Sequence, residues 1–126
     1  MASLPPGVTL IETCEWFVGE RHVICQMRSH SPAWQRGALT VFSYDPADSS
    51  YAMTAFGSGG QQSVARGVAR GDTLVFEGEL RTEAGRRRTR VTIAPRADGF
   101  DLLEQEADGD GGWRAPGRVR YIRAPG

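Results

Sequence analysis

Residues 63–80 read SVARGVARGDTLVFEGEL, two alternating segments joined by Gly71–Asp72. A Gly-X pair between two such segments is typical of a two-residue type II′ hairpin turn, so paired positions should sum to 143. In that register small residues face large ones, as in the pairs Gly67 with Phe76 and Ala69 with Leu74. Because a slip of one residue would exchange the two faces, this sorting predicts a β-sheet with one packed face.

A second hairpin is predicted around Gly19–Glu20, where position sums of 39 place Cys14 opposite Cys25. The face that carries these residues is the more apolar one, and we expect it to point inward. Glu12 shares that face and is therefore predicted to point inward too.

The next hairpin follows if residues 83–86 form its loop. Leu80 would then lie opposite Thr89 on the inner face, and Glu79 would lie opposite Arg90 on the outer face. Three neighbouring strands would thus agree on one inner face, which supports the sheet.

The whole chain repeats this pattern, with sixteen Gly and seven Pro between segments rich in β-branched and aromatic residues. We predict an antiparallel up-and-down meander, and closure into a lipocalin-like barrel would protect its edges. A single domain is expected over residues 1–126, with 1–7 as an N-terminal tail. The nine predicted strands are 8–18, 21–29, 36–44, 51–57, 61–70, 73–82, 87–94, 100–107 and 116–123.

The composition of the chain argues against several classes of binding partner. The 126 residues are 40% hydrophobic and 24% charged, with fifteen Arg, no Lys and fifteen Asp plus Glu, so the formal net charge is zero. This balance disfavours nucleic acid and anionic membranes as partners. No apolar run reaches the ~18 residues of a membrane helix, and the first residues do not resemble a secretory signal. We therefore expect a cytoplasmic protein.

Short motifs in a fixed order resemble those of the bacterial domain-of-unknown-function family 1579, which consists of small lipocalin-like (calycin) barrels. The resemblance covers roughly residues 8–124 and implies a barrel with a ligand cavity but no established reaction. Relative to that family, the chain lacks an N-terminal strand region with a Gly-x-Trp element, which implies a barrel that is incomplete or closed by a partner. The motifs are CEWFVG (14–19), YD (44–45), Tyr51, GSG (57–59), Gly67, GDTL (71–74), RVTI (90–93), DGGW (110–113) and YIR (121–123).

The two cysteines are better suited to a structural role than to a catalytic or metal-binding one. A cross-strand disulfide between Cys14 and Cys25 is geometrically conceivable, but in a reducing cytoplasm we expect two buried thiols. A zinc site formed with His22 and His30 is disfavoured, because His22 lies on the opposite face of the hairpin. The resemblance to this barrel class implies that a haem-binding member would need an axial His near the final strand, and residues 113–126 contain no His, so haem is disfavoured. We predict no metal and no cofactor.

Glu12 is the candidate catalytic residue, because a carboxylate among apolar side chains needs a raised pKa or a cationic partner. It could serve as a general acid or base or as a polar anchor for a ligand; alternatively it lies at the barrel mouth, solvated or paired with Arg123. Glu104 and Glu106 could also point inward.

Aromatic side chains could either line a cavity or fill the core. Between residues 37 and 57 two apolar faces compete, one with Phe42, Tyr44 and Tyr51 and one with Leu39 and Phe56, and we expect the first to point inward. The predicted ligand-binding set is Glu12, Trp16, Met27, Phe42, Tyr44, Tyr51, Met53, Phe76, Tyr121 and Arg123.

Three functions follow from these expectations. The first is binding of a small, largely apolar or aromatic molecule in the barrel. The second is a cyclase or isomerase of the same architecture, with Glu12 or a Tyr in proton transfer. The third is an assembly module that forms a homodimer through an exposed strand edge.

Overall fold

A computed structural model of the chain describes residues 9–29, 35–114 and 117–123. These residues form nine β-strands: β1 (Leu10–Trp16), β2 (His22–Ser29), β3 (Gly37–Asp45), β4 (Ser50–Gly57), β5 (Gln62–Arg70), β6 (Thr73–Thr82), β7 (Gly85–Arg96), β8 (Gly99–Glu106) and β9 (Gly117–Ile122). A search of the same residues for a helix long and apolar enough to cross a membrane found none.

The strands form a single antiparallel sheet in the order β1 to β9, so each strand pairs with its neighbours along the chain. The predicted all-β, up-and-down meander is therefore confirmed. The sheet curls strongly into an open half-barrel. Within the described residues, β1 and β9 are its two edges and are not hydrogen-bonded to each other. Closure by a partner or a second copy stays a prediction.

The β1–β2 register is the predicted one, with Cys14 opposite Cys25. The loop is longer than the expected two residues, because the Phe17 amide donates to the His22 carbonyl at 2.9 Å and the Glu20 amide donates back to the Phe17 carbonyl at 2.9 Å. Gly19 and Glu20 both have positive φ, at 90° and 56°. Four residues, 18–21, therefore make the turn.

The β5–β6 register is also the predicted one, with Gly67 opposite Phe76. Gly71 has a φ of 65° at the first central position of the turn, as a type II′ turn requires.

The predicted β6–β7 pairing is wrong by two residues. Thr82 pairs with Gly85 across a two-residue turn, so Glu79 lies opposite Arg88 and Gly78 opposite Thr89. Gly85 adopts a φ of 122°, which lets the chain reverse earlier than the assumed 83–86 loop. Because the error is an even number of residues, the inner and outer faces are unchanged.

The core lies on the concave face of the curled sheet. Its buried centre consists of Met53, Ala65, Phe76 and Val91, and Phe42 and Tyr51 pack against it. The aromatic face of β3 and β4 therefore points inward, as predicted. Leu39 and Phe56 lie opposite each other on the convex face and are exposed.

Two glycines allow strands β5 and β6 to come close at this centre. A Cβ atom added to Gly67 would lie 2.6 Å from Cδ1 of Phe76, and one added to Gly78 would overlap the carbonyl oxygen of Val64. The absence of a side chain at Gly67 thus creates the space that the Phe76 ring fills, and that ring is 0% exposed.

Replacing Phe76 by Ala is expected to lower the free energy of unfolding by about 3–5 kcal/mol, because removal of a fully buried ring leaves a cavity. Urea denaturation followed by circular dichroism measures this loss. Phe56→Ala is the matched control, since that ring is 43% exposed on the convex face, and it should cost less than about 1 kcal/mol. Equal losses for the two variants would contradict the assignment of the faces.

Candidate functional site

The structure joins Cys14 and Cys25 in a disulfide, so the expectation of two buried thiols is wrong. Their directly opposed positions on β1 and β2 bring the Cα atoms to 4.0 Å, within reach of a covalent bridge. Cys25 is buried, whereas Cys14 is exposed. The bond ties the edge strand β1 to the rest of the sheet.

Glu12 lies on the same face of β1 as Cys14 and points to the concave side, as predicted. Its side chain is half-buried, and burial raises the pKa of its carboxyl above the ordinary value of 4.5. The alternative ion pair of Glu12 with Arg123 does not form within the described residues. Arg123 is exposed, and its backbone amide donates to the carbonyl of Asp98 at 2.7 Å.

Glu104 and Glu106 differ although both follow the inner-face alternation of β8. Glu106 forms an ion pair with Arg87, with 3.2 Å between oxygen and nitrogen. Glu104 has no ion pair within the part of the chain that the structure describes, and burial together with the charge of Glu106 raises the pKa of its carboxyl. Glu104 is therefore the stronger of these two candidates.

Tyr121 on β9 lies within electrostatic range of the carboxylates of Glu12 and Glu104. Burial, together with the smaller effects of the negative charges of Glu12 and Glu104, raises the pKa of its hydroxyl to about 12. The three side chains come from β1, β8 and β9, at opposite ends of the sheet order. They act on one another because the sheet curls and brings its two edges towards each other.

Phe100 packs against Tyr121, although the ligand-binding set predicted from the sequence does not include it. Its ring stacks on that of Tyr121 with 4.6 Å between the ring centroids. Phe100 and Tyr121 are cross-strand partners in β8 and β9. The β8–β9 connection contains a tight turn, in which the Asp108 amide donates to the Gly112 carbonyl at 3.1 Å and Ala107 pairs with Trp113. The pairing of β8 with β9 is offset by one residue from the register of that turn, so turn chemistry alone does not predict it.

The predicted apolar and aromatic lining residues differ in their exposure. Phe76 and Met53 are 0% and 7% exposed and can form only the floor of a binding surface. Trp16 and Tyr44 are 62% and 49% exposed, and the Tyr44 ring lies 4.9 Å from that of Tyr51. The remaining members, Met27, Phe42 and Tyr51, are half-buried. The accessible part of the concave face is thus its margin and not its centre.

The convex face of β1–β3 carries depressions that the sequence did not predict. The larger, of about 580 Å³, is lined by Ile11, Thr13, Glu15, Ile24, Gln26, Met27, Arg28, Gly37, Ala38 and Leu39. In a smaller one, of about 250 Å³, Nδ1 of His22 lies 2.6 Å from Oγ of Ser43. His22 therefore faces away from the cysteines, as expected, and His30 lies outside the described residues. We place the candidate site on the concave face, where acidic and phenolic groups converge.

Comparison of the chain with protein-family models, with curated proteins and with solved structures found no match. The resemblance to family 1579 therefore stays a prediction from sequence motifs. The function has to be inferred from the residues of the site itself.

Glu104→Gln is expected to raise the thermal stability of the protein at neutral pH. The folded pKa of Glu104 is raised, so its stabilising contribution is complete below the unfolded pKa and is lost as pH rises through the folded pKa. A glutamine carries no charge, so the variant does not lose this stability as the pH rises. The variant should therefore have a higher melting temperature than the wild type at about pH 7, and the two melting temperatures should become equal near pH 4.

The control for this experiment is Glu15→Gln, because Glu15 is exposed on the convex face of β1. Its pH profile should follow that of the wild type. A wild type more stable than Glu104→Gln at neutral pH would show that Glu104 is stabilised as a carboxylate, contrary to this interpretation.

Proposed function

We propose that the concave face binds a small, largely apolar molecule. The supporting observation is that Trp16 and Tyr44 are 62% and 49% exposed on the concave side of the folded sheet, the side that also carries the half-buried carboxyl of Glu12. Large aromatic side chains on a concave surface, with a few polar groups that fix orientation, are typical of small-molecule sites.

The proposed ligand lies over the buried centre of the sheet. Phe76 and Met53 supply the apolar floor, while the paired rings of Tyr44 and Tyr51 flank it. Glu12 and the hydroxyl of Tyr121 supply polar contacts near the gap between β1 and β9. That gap is also the route by which a molecule would enter.

Trp16 fluorescence tests the proposal. In a background with Trp34→Phe and Trp113→Phe, Trp16 is the only indole, and Trp113 in any case lies under the guanidinium of Arg90 at 4.7 Å on the convex side. Titration with a panel of aromatic and aliphatic molecules should give saturable quenching. Tyr44→Ala should weaken binding about tenfold, the effect of losing ~1.4 kcal/mol of apolar contact.

Phe56→Ala is the control for this titration, because its ring lies on the other face and its loss should leave the affinity unchanged. A Trp16 signal that stays constant across the whole panel would contradict ligand binding on the concave face.

A cyclase or isomerase is the second candidate, favoured by the raised pKa of Glu104 and by the nearby hydroxyl of Tyr121. A carboxyl whose pKa is raised towards the operating pH is suited to general acid or base catalysis. For a ligand found by Trp16 quenching, Glu104→Gln and Glu12→Gln should abolish turnover in an enzyme. In a binding protein they should only weaken affinity, and the wild type should return the ligand chemically unchanged.

A further inference from the structure

Three residues of metal-binding types converge at one place on the concave face. Glu12, Cys14 and Cys25 contribute a carboxylate oxygen and two sulfur atoms that all lie within 4.8 Å of one another. Sγ of Cys14 is 3.7 Å from Oε1 of Glu12. Glu12 and Cys14 are two residues apart on β1 and share a face, and Cys25 is the cross-strand partner of Cys14.

We propose that reduction of the Cys14–Cys25 disulfide converts this cluster into a site for a thiophilic divalent cation of the zinc class. The two thiolates and the Glu12 carboxylate are its three protein ligands. The fourth position of the cation is open to the concave face. This site does not depend on the proposed binding of an apolar molecule.

The strand geometry already meets the distance requirements of such a site. Zinc binds thiolates at about 2.3 Å in a tetrahedron, which separates two sulfur ligands by ~3.7 Å. Directly opposed residues on antiparallel strands have Cβ atoms about 4.5–5.5 Å apart, so rotation of the two side chains reaches this separation with the strands in place. A sulfur and an oxygen ligand of the same ion are expected ~3.5 Å apart, close to the observed separation of Cys14 and Glu12.

The charge distribution favours a cation at this position. Glu12 has no cationic partner among the described residues, and its charge and that of Glu104 both act on Tyr121. Two thiolates would add further negative charge, which a divalent ion would neutralise. Three protein ligands and one open position are the arrangement of catalytic rather than structural zinc sites.

The redox step uses a dithiol or a phosphine as the external reductant. A phosphine delivers two electrons and becomes a phosphine oxide, and one water supplies the oxygen of that oxide and the two thiol protons. A dithiol delivers two electrons and two protons, its own sulfurs form a disulfide, and Cys14 and Cys25 become thiols. The cation then forms two metal–sulfur bonds and displaces the two thiol protons to solvent. Cys14 is exposed on an edge strand, so the reductant can reach the bond. A reducing cytoplasm, as predicted from the sequence, would maintain the thiol form.

Anaerobic titration of the phosphine-reduced full-length chain with Co²⁺ tests the proposal. We expect one equivalent to bind with thiolate-to-cobalt charge transfer and the visible bands of a tetrahedral centre, and Zn²⁺ to displace it. The oxidised protein should give neither signal. Zinc should also slow re-formation of the disulfide, measured as loss of free thiols after an oxidant is added.

Variants identify the ligands. Cys25→Ser should remove the one-equivalent tetrahedral spectrum. Glu12→Gln leaves both cysteines in place and should weaken cation binding at least about tenfold, the effect that even outer-shell partners produce. Glu15→Gln, on the same strand and the opposite face, should bind as the wild type does. Because Cys25 is buried, iodoacetamide-treated reduced wild type provides a second thiol-blocked sample if the serine variant fails to fold.

Three results would overturn the proposal. The first is a reduced wild type that binds no Co²⁺. The second is a thiol-blocked protein that keeps the same spectrum. The third is a Glu12→Gln affinity equal to that of Glu15→Gln. Quenching of Trp16 by apolar molecules is measured separately on the oxidised protein, so failure of the metal site and failure of ligand binding are distinguishable.

Discussion

The contact between Phe76 and Gly67 at the centre of the sheet is the constraint on which the rest of the structure depends. A flat antiparallel sheet of nine strands has no second layer to bury its apolar face, so it must curl over that face itself. Glycine at positions 67 and 78 lets β5 and β6 approach closely, and the Phe76 ring fills the space above Gly67. The core that results is small and lies on one face only.

The curl of the sheet determines which polar side chains come near one another. It brings β1 and β9 towards each other without pairing them in the described part of the chain. The side chains of Glu12, Glu104 and Tyr121 therefore influence one another across a gap and are partly removed from water. Because no ladder of backbone hydrogen bonds closes this gap, acidic and aromatic groups stay accessible beside an apolar floor.

The disulfide holds an edge strand that few other interactions hold. Strand β1 is an edge with only one hydrogen-bonded neighbour, and most of its side chains are exposed. The bond to Cys25 links this strand covalently to a buried position in β2. The same opposed arrangement that allows a covalent bond also presents two sulfurs and the Glu12 carboxylate together, so strand stability and the proposed metal chemistry share one location.

The sequence by itself determined the nine strands, their consecutive antiparallel order, the inner face and the β1–β2 and β5–β6 registers, because alternation and turn residues are local properties. It also determined that Glu12 points inward. Only the tertiary structure decided the β6–β7 register, where Gly85 shortened the loop, and the pairing of Phe100 with Tyr121 across a long connection. The bonding of the cysteines and the meeting of Glu12 with Tyr121 were likewise decided by the fold. Those features depend on how far the sheet curls, and curvature is a property of all nine strands packed together.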